Sequence, residues 1–129
     1  AKNTMGSIDR KLVADSLKLY YACPNNVKDA MNQKISWLKE WVLNKDTSDD
    51  KIRKFLSFAT STAALQNGQE IKVYPLSTVS PLPESHTCSS SIDVYPHNAG
   101  SSTGRNNFTK EAFIEAFEYA LSDESFGNM

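Results

Sequence analysis

The chain has 129 residues, 40% hydrophobic and 22% charged, with five Gly and five Pro; this excludes a disordered or low-complexity chain and suits a single globular domain. Fourteen Lys and Arg against 15 Asp and Glu give a net charge of -1, so there is no basic field to hold a nucleic-acid backbone. Two cysteines, Cys23 and Cys88, are too few for a disulfide scaffold, and no apolar run approaches the roughly 18 residues of a membrane span.

Ala1 to Ser7 lacks the hydrophobic core of a signal peptide, which predicts a cytoplasmic or nuclear protein with reduced thiols. Helical spacing begins near Asp9: Leu12, Val13, Leu17, Tyr20 and Tyr21 recur at three- and four-residue steps. That helix ends before Pro24, because the residue preceding a proline avoids the helical region, and Cys23 falls in the terminating turn. A second helix, capped by Asn25 or Asn26, carries the stripe Val27, Met31, Ile35, Leu38 and Val42, with Trp37 and Trp41 beside it. Thr47 followed by Asp50 resembles a capping box, so a third helix is expected from Ser48 to about Ala64, buried through Ile52, Phe55, Leu56 and Ala59 and stopped by Asn67-Gly68.

Beyond Gly68 the period changes. Ile71, Val73 and Leu76 alternate with polar residues as in a half-buried strand, and Pro75 places its end at an edge or bend. After a proline-punctuated loop, Ser85 to Cys88 and Ile92 to Tyr95 read as short extended pieces, the second with Ile92 and Val94 inward and Asp93 outward. A polar loop from Pro96 to Asn107 leads to a last helix, with Thr109 as its cap, a hydrophobic staple between Phe108 and Phe113, and a buried face of Phe113, Ala116, Phe117 and Ala120. It stops near Ser122, and the tail carries an isolated aromatic, Phe126. The expected fold is α+β: N-terminal helices, a small sheet carrying Cys88 near a strand end or loop, then a C-terminal helix and tail.

Cys88 follows His86-Thr87 in a nearly all-polar stretch from Glu84 to Ser91, whereas an inert thiol usually sits among aliphatic neighbours. An exposed thiol follows, and on an extended backbone His86 would share its face; a bland surface thiol and a capping histidine are the alternatives. A cysteine-protease dyad would have to draw on His86 or His97, in a chain short for a substrate cleft. A zinc site from His86, Cys88 and His97 lacks a fourth ligand, so no metal and no cofactor is expected. The glycines are isolated, which excludes a phosphate-cradling loop, and Asn107-Phe108-Thr109, formally a glycosylation acceptor, reads better as a helix cap.

Leu82-Pro83-Glu84-Ser85-His86-Thr87-Cys88 resembles the Leu-Pro-x-x-His-Thr-Cys signature of the HECT family of ubiquitin ligases. Ile35-Ser36-Trp37 resembles the Ile-x-Trp of a helix in the family's C-terminal lobe, Phe58-Ala59-Thr60-Ser61-Thr62 its Phe-Val-Thr-Gly-Thr, and Ser125-Phe126-Gly127-Asn128-Met129 its close, with Phe126 fourth from the end. The resemblance covers residues 27 to 129. Ser61 stands where the family usually has glycine, Ser89-Ser90 replaces Phe-Asn, and Tyr95 replaces a proline, which marks a divergent member.

The resemblance implies that Cys88 accepts ubiquitin as a thioester from a conjugating enzyme and passes it to a substrate lysine. It also implies that His86 and Thr87 position the thioester, that Asp93 takes the amine's proton, and that Phe126 docks the tail. Residues 1 to 26 would be a hinge and flanking helix, residues 27 to 129 the catalytic lobe. The expected partners are ubiquitin, a conjugating enzyme bound through a separate N-terminal lobe, and a protein substrate, with the chain itself a monomer, poorly active alone. A non-catalytic ubiquitin- or protein-binding module that kept the fold is the alternative.

Overall fold

The computed structural model describes residues 8–20, 24–66, 68–102 and 104–122; Cys23, Asn67 and the tail with Phe126 lie outside them. Helix α1 spans Arg10–Ser16, with the Asp9 carboxylate accepting from the Leu12 N–H at its start. The chain then turns to an extended conformation, and strand β1, Leu17–Leu19, follows directly. Sequence periodicity carries this helix on through Tyr20 and Tyr21, the latter outside the described residues. It stops early because Leu17 to Leu19 gain a ladder with Ile71 to Val73, in parallel, which helical propensity cannot match.

Helix α2, Asn25–Leu43, is capped by Pro24, with no side-chain cap hydrogen bond, rather than by Asn25 or Asn26. The proline's fixed φ sets the entry and leaves both asparagines inside the first turn. Its stripe forms as the spacing predicts: Met31, Ile35, Leu38 and Val42 are buried, Val27 packs partly against them, and Trp41 joins the buried set. Helix α3, Asp49–Thr60, is capped by the Ser48 side chain, which accepts from the Lys51 N–H at 3.2 Å, not by Thr47. Thr47 is buried instead, and its carbonyl accepts from Arg10. That guanidinium also donates to the carbonyls of Val42 and Asn44 and pairs with Asp49 at 2.7 Å, fastening α1 to the α2–α3 connection.

Helix α3 ends at Thr60, four residues short of Ala64, because Ser61 adopts the left-handed conformation with φ 71°. This is the position where glycine is the favoured helix stop. A serine there carries a Cβ penalty of about 1–2 kcal/mol, which glycine removes while adding unfolded-state entropy. Ser61→Gly is therefore expected to stabilise the fold by about 0.5–1 kcal/mol, read as a higher urea midpoint at unchanged slope.

Strand β2, Ile71–Pro75, lies between β1 and β4, Ser91–Val94, parallel to both; β3, Glu84–His86, completes the order β1-β2-β4-β3 by pairing antiparallel with β4. Pro75 sits where β1 no longer pairs, so its missing N–H costs no ladder bond on that side. Helix α4, Lys110–Ser122, starts with Thr109 Oγ1 accepting from the Ala112 N–H. The expected staple does not form: Phe113 is buried while Phe108 is exposed and lies over Gly100. The core sits between the helices and the inward face of the sheet. There Trp41, Phe55, Phe58, Phe113 and Phe117 pack edge-on or tilted at 5.6–6.3 Å, and Trp41 Nε1 donates to Glu118. Each ring so buried contributes about 1.5–3 kcal/mol, enough to hold the sheet that presents the site.

Candidate functional site

The site is built at one end of the β3–β4 pair. Strand β3 ends at His86, and Thr87–Ser89 form one turn of 3-10 helix in which Cys88 is exposed. The thiol therefore belongs to a tight turn and not to a strand, so strict alternation does not place it on the face of His86. Ser90 closes the turn in the left-handed conformation, φ 54°, its N–H donating to the Thr87 carbonyl at 3.2 Å. Its hydroxyl accepts from Gln69 Nε2 at 3.0 Å, and its carbonyl accepts from the Lys72 N–H. The turn is tied on the other side by Ser89 Oγ, which donates to the His86 carbonyl and shares a 2.8 Å hydrogen bond with Ser91 Oγ. Cys88 is thus an exposed side chain on a backbone fastened to the sheet at several points.

Ser61 and Ser90 are the non-glycine residues with positive φ among those described. Both fall at positions where the sequence departs from the HECT pattern, in which glycine and asparagine, the residues that tolerate this conformation best, are expected.

Asp93 lies outward on β4 between buried Ile92 and Val94, as the alternation predicts. Its Oδ2 is 2.9 Å from His86 Nε2, a diagonal contact across the strand pair. An ionised carboxylate only accepts, so Nε2 carries a proton, and in the neutral ring Nδ1 holds the lone pair. With the His86 side chain 49% exposed and that of Asp93 21%, the pair adds at most about 1 kcal/mol to stability. Its effect is to orient the imidazole and fix its tautomer.

Glu84 joins this pair. It stands directly opposite Asp93 in the register, and Glu84, His86 and Asp93 offer ligand atoms within 4.8 Å of one another. The signal was available in the sequence as Glu84 and His86 two apart on an extended segment, which puts them on one face. The cluster is not the His86, Cys88, His97 set weighed from the sequence. His97 instead packs edge-on against Tyr95 at 6.0 Å and, with Asp93, Val27, Tyr74 and Leu76, lines an open cleft of about 600 Å³ past the ends of β2 and β4. Lys34, buried, donates to the Pro96 carbonyl beside that cleft, and burial pushes its pKa down.

Thr87 opens the Cys88 turn through its backbone carbonyl. Asn107 is buried, its side chain accepting from the Ala99 N–H and donating to the His97 carbonyl, so it serves as an internal brace of the polar loop rather than a glycosylation acceptor. Among the described residues no helix is long and apolar enough to cross a membrane. The family model described as HECT-domain (ubiquitin-transferase) matches residues 5–127. No curated protein matches the chain significantly.

Proposed function

From the premise that this chain belongs to the HECT-domain, ubiquitin-transferase family, we propose that it is the catalytic lobe of a ubiquitin ligase with Cys88 as the acceptor of ubiquitin. The observation that carries this reading is an exposed cysteine held in a fastened turn directly after His86, the last residue of β3, whose ring is oriented by Asp93 on β4.

The chemistry is two acyl transfers. The Cys88 sulfur attacks the thioester carbonyl that joins ubiquitin's C-terminus to a conjugating enzyme; a new C–S bond forms and the conjugating enzyme leaves as its thiolate. One thioester replaces another, so the step is nearly isoenergetic and depends on orientation and on stabilising the tetrahedral oxyanion. A substrate lysine amine then attacks the Cys88 thioester, the isopeptide bond forms, the Cys88 thiolate departs, and the amine's proton is taken up by the His86–Asp93 pair. His86 and Thr87 flank the thioester and position it. Ubiquitin, a conjugating enzyme docked through a separate lobe, and a protein substrate are the partners of this scheme. The chain works as a monomer in the cytoplasm or nucleus.

The deciding experiment incubates the full ligase that carries this lobe with ubiquitin-charged conjugating enzyme and follows a reductant-sensitive ubiquitin adduct in wild type and Cys88→Ala. Failure of the wild type to form one leaves the non-catalytic interaction module. Phe126 is assigned to docking the tail during the second transfer. Deleting Phe126 to Met129 is expected to slow lysine transfer about tenfold, the worth of one aromatic anchor, with thioester formation changed less. An unchanged transfer rate would remove Phe126 from the site.

A further inference from the structure

Glu84 and Asp93 face each other directly across the β3–β4 pair, where like charges destabilise a sheet. Neither has a Lys or Arg ion-pair partner among the described residues: Asp93 pairs with His86, and Glu84 makes no ion pair. Lys72, on the strand beside β4, is turned away, its Nζ donating to the Ser89 carbonyl at 3.3 Å and lying 5.6 Å from the centre of the Tyr20 ring. The two carboxylates therefore share a face with one imidazole, and among the described residues no lysine or arginine pairs with either of them. Three donors within 4.8 Å, two of them already at 2.9 Å, need only small side-chain rotations to meet a single ion.

We infer that Glu84, His86 and Asp93 form a binding site for a divalent transition-metal ion such as Zn2+, held by one imidazole nitrogen and two carboxylate oxygens. The donor set selects the metal. Mg2+ and Ca2+ prefer all-oxygen shells of six or more ligands, whereas an imidazole with two carboxylates suits Zn2+ and its neighbours and leaves positions for water. The two paired strands set the spacing before the ion arrives, and His86 gives up its hydrogen bond to Asp93 when both turn to the metal.

A regulatory consequence rests on the function proposed above. A bound ion takes His86 Nε2 and the Asp93 carboxylate at once; the neutral ring's proton then sits on Nδ1, the atom left to accept from the lysine amine, so the ion blocks that uptake. Glu84→Gln removes a metal ligand while leaving the His86–Asp93 hydrogen bond in place, so it tests metal binding apart from the proton acceptor.

Binding is measured first, by titrating Zn2+ into the Cys23→Ser/Cys88→Ser double variant, which has no thiols. Saturable one-to-one binding is expected, with the His86 ring resonances shifting and those of His97 still. Glu84→Gln and His86→Asn in that background are each expected to weaken affinity tenfold or more, while His97→Asn leaves it unchanged. Millimolar Mg2+ should not displace the zinc. Binding that survives both Glu84→Gln and His86→Asn, that vanishes with the thiols, or that Mg2+ matches would overturn the site.

In the transfer assay, Zn2+ should slow lysine discharge of wild type and act about tenfold more weakly on Glu84→Gln, each measured against its own metal-free rate. Equal inhibition of the two would overturn the regulatory role. A chain that binds zinc as described but forms no ubiquitin adduct retains the metal site and loses only the proposed function.

Discussion

Cys88→Ala is expected to abolish the reductant-sensitive ubiquitin adduct completely, and Cys88→Ser to replace it with a slowly formed adduct that survives reductant and is cleaved by hydroxide. The expectation follows from where the sulfur sits. It is the exposed side chain of a turn whose backbone is fastened by Ser90 N–H to the Thr87 carbonyl, by Ser89 Oγ to the His86 carbonyl, and by Gln69 to the Ser90 hydroxyl. Neither substitution removes any of these contacts, so the turn persists and only the nucleophile changes. A serine hydroxyl in the same place is the weaker nucleophile and makes an oxyester, which thiols do not exchange. Cys23 is the other thiol in the chain. An adduct that persists in Cys88→Ala and disappears in Cys23→Ser would move the nucleophile and end the assignment, and circular dichroism of each variant would show that the fold is intact.

The parts of the fold legible in the sequence are those whose signal is local. Helix α2 and the buried face of α4 follow from apolar residues repeating at three and four, and Asp93 outward between Ile92 and Val94 follows from strict alternation. Strand β1 was not legible, because Leu17 continues the helical spacing of Val13 and three residues are too few to show a period of two. What makes it a strand is pairing with Ile71 to Val73, some fifty residues away. The caps failed for a similar reason: Thr47 has the right type, but Arg10 claims its carbonyl and the fold buries it, leaving Ser48 to cap α3. At the site, the polar neighbours of Cys88 announced its exposure, and the outward side of β4 announced Asp93. The contact of Asp93 with His86, and the place of Glu84 opposite it, depend on the β3–β4 register, which a short strand before a 3-10 turn does not encode locally.

That register supports the second large effect. Starting from the preformed Cys88 thioester, Asp93→Asn and His86→Asn are each expected to slow discharge to free lysine by about 100-fold or more, the usual worth of a positioned general base. Thioester formation should change far less, since attack by sulfur on the conjugating enzyme's thioester needs no proton acceptor for an amine. Asparagine at 93 keeps the shape but can present an N–H to His86 Nε2, so the Nε2–H tautomer loses its fixed acceptor and Nδ1 no longer holds the lone pair dependably. Two residues acting as one unit give non-additive losses, so the double variant should be little slower than either single one. The pair is half-exposed and stabilises the fold by no more than about 1 kcal/mol, so unfolding midpoints should hardly move. The discriminating measurement is the pH profile. As pH rises toward the roughly 10.4 of a free lysine amine, the nucleophile sheds its proton to solvent and the variants should converge on wild type. A defect of constant size across that range would mean that His86 and Asp93 only shape the turn, and would remove proton transfer from their role.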